Sequence, residues 1–453
     1  MHPDSSAAPG RDPGAAPATD VSGPDEQTSR SGVSRRGLLG AVGVGAVGAV
    51  GVGAGLAGGL GIDARESSAA PPAAEVQSYP FYGEHQAGIV TPAQDRLHFA
   101  AFDMVSADRA DLISLLQDWT AAAARITQGH DAGPFGATSG PYDAPPDDTG
   151  EALGLPPSKL TITIGFGPSL FRLAGQDRYG IAARQPAALR RLPHFPGDNL
   201  DGDRSDGDLC IQACSDDPQV AVHAVRNLAR IAFGRAALRW SQLGFGRTSS
   251  TSTTQATARN LFGFKDGTMT HKAEEPSLLE QHVWVPARDA RESWLTGGSY
   301  LVARRINMTI ETWDRQPLRE QERVVGRSKA EGAPLSGGGE FSQPDFHLTG
   351  RGDQPLIAPD AHVRLVHPDN NGGAQMLRRG YNFVDGSNGL GRMDAGLFFL
   401  AYVRDPRTHY IPVQTKIARG DGLSEYLQHT GSGLFAVPPG AAPGGYLGQA
   451  LFT

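Results

Sequence analysis

Apolar and polar positions alternate with two different periods from residue 96 onward. Segments with apolar residues at every second position, or in short continuous runs, predict strands, and apolar residues three or four apart predict helices. The first series is a strand at 96–105, a helix at 108–128, strands at 160–166 and 208–214, a helix at 219–231 and a strand at 238–245. This strand-helix-strand-strand-helix-strand order is that of a ferredoxin-like unit.

A comparable series follows residue 295. It consists of a strand at 300–313, a helix at 317–325, strands at 363–366 and 397–403, a helix at 422–428 and a strand at 434–437. We therefore expect an α+β fold of two ferredoxin-like (βαββαβ) units with antiparallel sheets. The expected boundaries place one unit in 76–250 and the other in 251–453. The long polar connections at 130–158 and 328–360 are expected to form a pocket rim.

The N-terminal segment has a different pattern. Arg35 and Arg36 follow Ser34 and precede an uncharged stretch over 37–62 that is mostly Gly, Ala and Val. A membrane-spanning helix needs roughly 20 strongly apolar residues, and glycine lowers helix propensity. We interpret residues 1–75 as a disordered N-terminus, a twin-arginine export signal and a linker, with an uncleaved anchor as the alternative.

Composition narrows the classes of function. The net charge of −7 and the pI of about 6.0 give no indication of nucleic-acid binding. Cys210 and Cys214 lie four residues apart on one predicted strand, where their Cα atoms are roughly 13 Å apart, too far for a disulfide. We interpret both as core residues, with a metal or redox role as the lesser alternative.

The densest chemical motif is the segment over 259–268, which reads RNLFGFKDGT. Its glycines, Gly263 and Gly267, permit close approach of the backbone to a flat ligand, and Asp266 is its only carboxylate. Because Asp-Gly is also a common turn, this segment alone favours a plain turn.

A second candidate region contains His362 and Arg378. A histidine in a short apolar strand is usually a core residue, and an arginine in apolar surroundings usually pairs with a carboxylate. The combination of Asp266, His362 and Arg378, each in an apolar segment, favours a functional site over three separate structural roles.

With these segments, the chain resembles the dye-decolourising peroxidase family, and within it the branch of the deferrochelatase/peroxidase proteins. The resemblance rests on PFYGEHQAG at 80–88, GDLCIQ at 207–212 and the two segments above, and it spans roughly 79–440. It implies a dimeric α+β barrel type of fold, with haem b bound in the C-terminal half.

The resemblance also implies roles for individual residues. His362 is the implied axial ligand of the haem iron, and Asp266 and Arg378 are implied on the opposite, peroxide-binding side. The remaining implied haem contacts are Gly267, Thr268 and Met269, then His367, Pro368 and Asp369 along the haem edge, and Leu397 and Phe399 over the peroxide-binding face. Arg364 and Arg379 are expected partners of the haem propionates, because carboxylates favour arginine forks.

The implied chemistry assigns a task to each polar residue. Peroxide must lose a proton from one oxygen and gain it on the other, and an ionised Asp266 is suited to carry it. Arg378 stabilises the charge that develops as the O–O bond breaks. A carboxylate on the second nitrogen of His362 strengthens the ligand, and we expect Glu425 to supply it.

The chain departs from the family pattern in two places. Met269, Thr270 and His271 follow Gly267-Thr268 where relatives often have a small residue and then Asn-Pro. His367, five residues after His362, is a rival axial ligand; we favour His362 because it begins the stretch that matches the family.

Three functions remain open at this point. The first is an exported haem peroxidase that uses hydrogen peroxide and an organic electron donor, such as a dye or a phenol. The second is a deferrochelatase that releases iron from haem and leaves the porphyrin intact, and the third is a non-catalytic haem carrier. The expected partners are the twin-arginine translocase, an iron-uptake permease and a second copy of the chain, in a periplasmic, cell-envelope or extracellular location.

Overall fold

The computed structural model describes residues 78–287 and 292–453; the predicted export signal and the boundary at residue 75 lie outside them. The strands are β1 (Arg96–Met104), β2 (Thr161–Phe166), β3 (Leu209–Ser215), β4 (Ala236–Arg247), β5 (Ser299–Met308), β6 (Leu377–Arg378), β7 (Tyr381–Ser387), β8 (Met393–Val403) and β9 (Leu427–Val437). The helices are α1 (Arg109–Ile126), α2 (Pro168–Phe171), α3 (Pro218–Ile231), α4 (Pro276–His282), α5 (Ile310–Trp313), α6 (Leu318–Val325), α7 (His362–Val366), α8 (Pro406–His409) and α9 (Ile411–Gly420).

The strands form two ferredoxin-like sheets. Their orders are β4-β1-β3-β2 in the first half and β7-β8-β5-β9 in the second, and every pair is antiparallel. Phe245 on β4 lies opposite Asn382 on β7, and Phe166 on β2 lies opposite Ala436 on β9, so the two sheets join into one closed ring. This architecture confirms the predicted α+β class; the exact division at residue 250 stays a prediction.

Two hydrophobic cores hold the ring together. On one face of the first sheet, α1 and α3 cover Phe102 and Ile211, and Trp119 of α1 donates its indole N–H to the carbonyl of Leu228 at 2.7 Å. The opposite faces of the strands enclose a second core. Burial of such large side chains contributes about 1.5–3 kcal/mol each, so the two cores fix the strand register on which the site depends.

Three elements of the second half differ from the sequence prediction. The predicted strand at 300–313 ends at Met308, and α5 follows it. The segment at 363–366 belongs to a helix, α7, and the strand that occupies its expected place in the sheet is β7. The predicted helix at 422–428 is a 3₁₀ turn over Gly422–Tyr426 that leads into β9.

The cysteines behave as core residues. Cys210 and Cys214 are buried and unbridged, and burial raises the pKa of the Cys210 thiol. Across residues 78–287 and 292–453, no cluster of three or more His, Cys, Asp or Glu side chains has the arrangement of a metal site. Within the same residues, none of the helices has the length and apolar character needed to cross a membrane.

Candidate active site

The loop before Asp266 is folded tightly by its own backbone. The N–H of Asn260 donates to the carbonyl of Phe264 at 3.1 Å, and the N–H of Gly263 donates to the carbonyl of Asn260 at 2.9 Å. The N–H of Asp266 then donates to the carbonyl of Ala258 at 2.9 Å. Phe262 and Phe264 point into a small core around Trp313. The carboxylate is therefore presented from a rigid support.

Gly267 is required by the path of the chain. Its φ is +79°, which is unfavourable for residues with a Cβ atom. A Cβ atom at this position would lie 2.7 Å from Cα of Ser249. The turn predicted at the Asp-Gly pair lies one step later: it comprises Thr268 and Met269 and is closed by the N–H of Thr270, which donates to the carbonyl of Gly267 at 3.1 Å.

Asp266 and Arg378 form an ion pair between segments that are far apart in sequence. Nη1 of Arg378 donates to Oδ1 of Asp266 at 2.7 Å. The backbone N–H of Arg378, on β6, donates to Oγ1 of Thr270 at 2.7 Å, which ties the strand to the loop. The second oxygen of Asp266, Oδ2, accepts a hydrogen bond of 3.3 Å from Nδ2 of Asn260. Both side chains retain some accessible surface.

His362 is the first residue of α7, and its orientation is fixed by a carboxylate. Nδ1 of His362 lies 2.6 Å from Oδ2 of Asp421, whose side chain is 2% exposed. Oδ1 of Asp421 accepts the N–H of Leu423 at 2.8 Å, so this aspartate also caps the 3₁₀ turn that begins at Gly422. The predicted partner Glu425 is wrong: its side chain is exposed on that turn.

The ring of His362 is only partly covered by protein. Its side chain is 31% accessible. Burial lowers the pKa of His362, but the charge and hydrogen bond of Asp421 outweigh burial and raise it. The charges of Arg378 and Asp266 also act on the pKa of this ring. The three predicted residues therefore share one electrostatic environment.

His367 lies beyond α7 in a different role. Its Nδ1 accepts the N–H of Asp369 at 3.3 Å and so caps the turn over Pro368–Asn370. Its ring contacts Phe346 edge-on, with centroids 5.0 Å apart. Burial lowers its pKa. Nε2 of His367 is buried without a hydrogen-bond partner in the described part of the chain.

Arg327 was not singled out by the sequence. Its Nη1 donates to the carbonyls of Gly332 and Glu340, at 2.7 and 2.8 Å, whereas Nη2 is buried and unpaired among the described residues. Its charge lowers the pKa of His367, a smaller effect than burial.

The loop over 328–360 reaches the site through Glu340. The carboxylate of Glu340 pairs with Lys265 and accepts a bond of 3.3 Å from Oγ1 of Thr268. The rim predicted for this loop therefore contacts the segment that carries Asp266. Met269 and Asp369 are exposed.

Leu397 and Phe399 project from the same face of β8. Leu397 packs near the Trp313 core, and the Phe399 ring lies 6.1 Å from that of Tyr410. Leu397 also approaches the backbone of Gly380, close to Arg378 in sequence. The alternation of strand residues thus places two apolar side chains on one surface.

The two predicted propionate partners have protein partners of their own. Arg379 is fully buried; its guanidinium bonds the carbonyl of Thr91 at 2.6 Å and the side chain of Gln94. Because these contacts enclose its guanidinium, the predicted role of Arg379 as a propionate partner is wrong. Arg364 lies over the ring of Phe346.

Two domain profiles and a known protein match most of the described chain. The profile of the Dyp-type peroxidase N-terminal domain matches residues 86–246, and that of the C-terminal domain matches residues 257–442. The deferrochelatase of Escherichia coli (strain K12) is 37% identical over 397 residues, which cover 86% of this chain and 91% of that protein.

Solved structures give the same result. Ferric DtpA from Streptomyces lividans is 41% identical with a TM-score of 0.74, covering 83% of this chain and 96% of that one. A DyP-type peroxidase from Cellulomonas bogoriensis is 37% identical with a TM-score of 0.73, covering 83% and 98%. The chain belongs to the Dyp-type peroxidase family and is a haem-dependent peroxidase.

Proposed function

We propose that this chain reduces hydrogen peroxide at a haem held by His362, with Asp266 as the proton carrier and Arg378 as the charge-stabilising group. The observation that carries the proposal is the 2.7 Å ion pair between Asp266 and Arg378, whose charges act on the ring of His362. An organic donor then returns the electrons. A carrier that only holds haem has no need of this pair.

The donor set suits a haem. Asp421 occupies Nδ1 of His362, which leaves Nε2 for the iron and raises the basicity of the ligand. Nδ1 of His367 accepts a hydrogen bond, so the proton of the neutral ring is on Nε2, which lacks an acceptor among the described residues. Nη2 of Arg327 is a second buried donor without a partner among the described residues. Such orphaned donors fit the carboxylates of haem.

Haem, when bound, supplies the iron at which peroxide is cleaved and the oxidising power that the donor later consumes. Asp266 takes a proton from one peroxide oxygen and returns it to the other, an effect worth roughly 10²- to 10⁴-fold in rate. Arg378 holds Oδ1 at 2.7 Å, so the proton moves through Oδ2, whose bond to Asn260 is longer, at 3.3 Å. The guanidinium also stabilises negative charge on the departing oxygen.

The apolar and edge residues complete this pocket. Leu397 and Phe399 form an apolar wall that limits water on the peroxide side. Gly267, Thr268 and Met269 on one segment, and His367, Pro368 and Asp369 on the other, are proposed to contact the haem edge.

Mutation of the ion pair tests the proposal. Asp266→Ala and Arg378→Ala are expected to lower peroxide-dependent dye oxidation at least about 100-fold, with unchanged haem content. The matched control is Asp103→Ala, which removes a surface pair with Arg239 of 2.8 Å and should retain activity. Wild-type turnover in both site variants would exclude the proposed mechanism.

A second function, iron release from haem, is favoured by the deferrochelatases among the relatives. The variants Asp266→Ala and Arg378→Ala distinguish peroxidase activity from iron release. Chelatable iron and intact porphyrin should be measured alongside dye oxidation, with and without peroxide. Iron release without porphyrin loss in the wild type, at a rate above that of free haem, would support the second function.

Export by the twin-arginine route is proposed from Arg35 and Arg36 and the uncharged stretch after them. Residues 1–75 fused to a folded reporter should direct it out of the cytoplasm. Replacement of both arginines by lysine should retain the reporter inside. Fractionation of the same cells shows whether the reporter reaches the periplasm, the cell envelope or the medium. A pull-down with the exported protein tests whether it binds the iron-uptake permease.

A further inference from the structure

Asn260 contacts the proton carrier directly, six residues upstream. We infer that Asn260 is a positioning residue that fixes which oxygen of Asp266 exchanges the proton. Nδ2 of Asn260 donates to Oδ2 of Asp266 at 3.3 Å. The inference rests on the role proposed for Asp266.

The orientation of the Asn260 amide is set by its own loop. Oδ1 of Asn260 accepts the N–H of Phe262 at 3.1 Å. Its backbone N–H and carbonyl are both used within the turn, by Phe264 and Gly263. Because Oδ1 must face the Phe262 N–H, the amide nitrogen faces Asp266 and can only donate. The loop thus fixes a donor, rather than an acceptor, beside the carboxylate.

The two oxygens of Asp266 are therefore unequal. Oδ1 is held by the charged guanidinium of Arg378 at 2.7 Å, and Oδ2 by a neutral amide at 3.3 Å. Both bonds have an ionised acceptor, but the bond to Oδ1 joins two opposite charges at the shorter distance. Oδ2 is therefore the less strongly held oxygen, and it is the one that meets the proton of peroxide. Once Oδ2 is protonated, it is a weaker acceptor for the amide of Asn260, which favours return of the proton.

The variant Asn260→Asp isolates this contact. It keeps an oxygen for the Phe262 N–H and places a carboxylate oxygen where the donor was. The acidic limb of kcat/KM for peroxide is expected to move to higher pH by about one unit, because a like charge at this distance favours the protonated form. Asn260→Ala should move the limb in the same direction by less.

Asn388→Asp is the matched control. Oδ1 of Asn388 accepts the N–H of Leu390 at 3.0 Å in an equivalent turn, but this residue is exposed on the hairpin between β7 and β8. The acidic limb of kcat/KM for peroxide in Asn388→Asp should coincide with that of the wild type. The unfolding temperature and the haem affinity should be measured for both variants. Wild-type values would show that a shifted acidic limb reflects the effect on Asp266 and not a loss of folding.

A spectroscopic readout is independent of turnover. The infrared band of the protonated Asp266 carboxyl, assigned by its loss in Asp266→Asn, should appear at higher pH in Asn260→Asp than in the wild type. The role inferred for Asn260 is wrong if Asp266→Ala is inactive while Asn260→Asp leaves both the infrared band and the acidic limb of kcat/KM at their wild-type pH. Full turnover in Asp266→Ala would instead overturn the proton transfer itself.

Discussion

Nδ1 of His362 donates to Oδ2 of Asp421 at 2.6 Å, across 59 positions of sequence. The aspartate is held in turn by the N–H of Leu423, so neither ring nor carboxylate is free to rotate. An imidazole that donates to a carboxylate is a stronger ligand, because the partial negative charge is passed to its other nitrogen.

Asp421→Asn should weaken haem binding by about ten- to 100-fold, since loss of such a partner has this effect on metal affinity. It should also raise the Fe(III)/Fe(II) reduction potential, because a less basic imidazole stabilises ferric iron less. Titration of the haem-free protein with haem, followed at the Soret band, and spectroelectrochemistry measure the two effects. Glu425→Gln, on the exposed side of the same turn, is the control and should change neither; equal effects in both variants would contradict the assignment.

The contrast between Asp421 and Glu425 shows which part of the site could be predicted from the sequence. Both carboxylates belong to one short segment, and the sequence predicted that a carboxylate there would serve the histidine. Which one does so depends on the cap: Asp421 precedes Gly422 and turns inward to bond Leu423, whereas Glu425 lies on the outward side of the turn. Three-dimensional packing decides which of the two carboxylates contacts His362, and no local sequence pattern indicates it.

The fold was predictable where the patterns were long. The first ferredoxin-like unit follows from strands and helices of six or more residues, such as α1. In the second unit, β5 followed from its pattern, whereas the predicted strand at 363–366 and the predicted helix at 422–428 were wrong. The five-residue α7 was mistaken for a strand, because a short apolar run does not distinguish a helical turn from a strand. The ring closes where Phe245 lies opposite Asn382. Such pairing between the two sheets cannot be predicted from hydrophobic periodicity, which describes only local structure.

Replacement of the two candidate ligands by alanine should have opposite outcomes. His362→Ala removes the ring that Asp421 orients, and the Soret band should be lost or strongly shifted. His367→Ala should retain an axially ligated spectrum with weaker haem binding, because its Nε2 is proposed to contact a propionate. A retained Soret band in His362→Ala, with loss in His367→Ala, would reverse the assignment.

Gly267→Ala should destabilise the protein by more than its backbone angle alone explains. A positive φ costs an alanine about 1–2 kcal/mol, and here the new Cβ would also meet Ser249. Gly389→Ala is the matched control, because its φ is +76° and nothing lies near the new Cβ. Urea denaturation measures the free energy of unfolding of both variants. Equal losses would mean that the loop yields at Ser249 without cost.

Acid should destabilise the folded chain through three histidines beside the site. The rings of His271 and His282 stack with centroids 5.1 Å apart, and Nδ1 of His282 lies 3.2 Å from Nε2 of His409. Burial, with the charge of the neighbouring rings, lowers the pKa of His271 and of His282 to about 4. The nearby cations of Lys272 and Arg404 act in the same direction.

The sign follows from proton uptake. Between pH 6.5 and about 4 the unfolded chain binds these protons and the folded chain does not, so the free energy of unfolding falls as the pH falls through this window. For His271 the full loss is on the order of 3 kcal/mol. His271→Phe keeps a planar ring on His282 but cannot take up a proton, so its urea-derived stability should fall less steeply with acid than that of the wild type. His347→Gln, on an exposed loop, should follow the wild-type curve; parallel curves for all three proteins would show that the cluster does not govern acid stability.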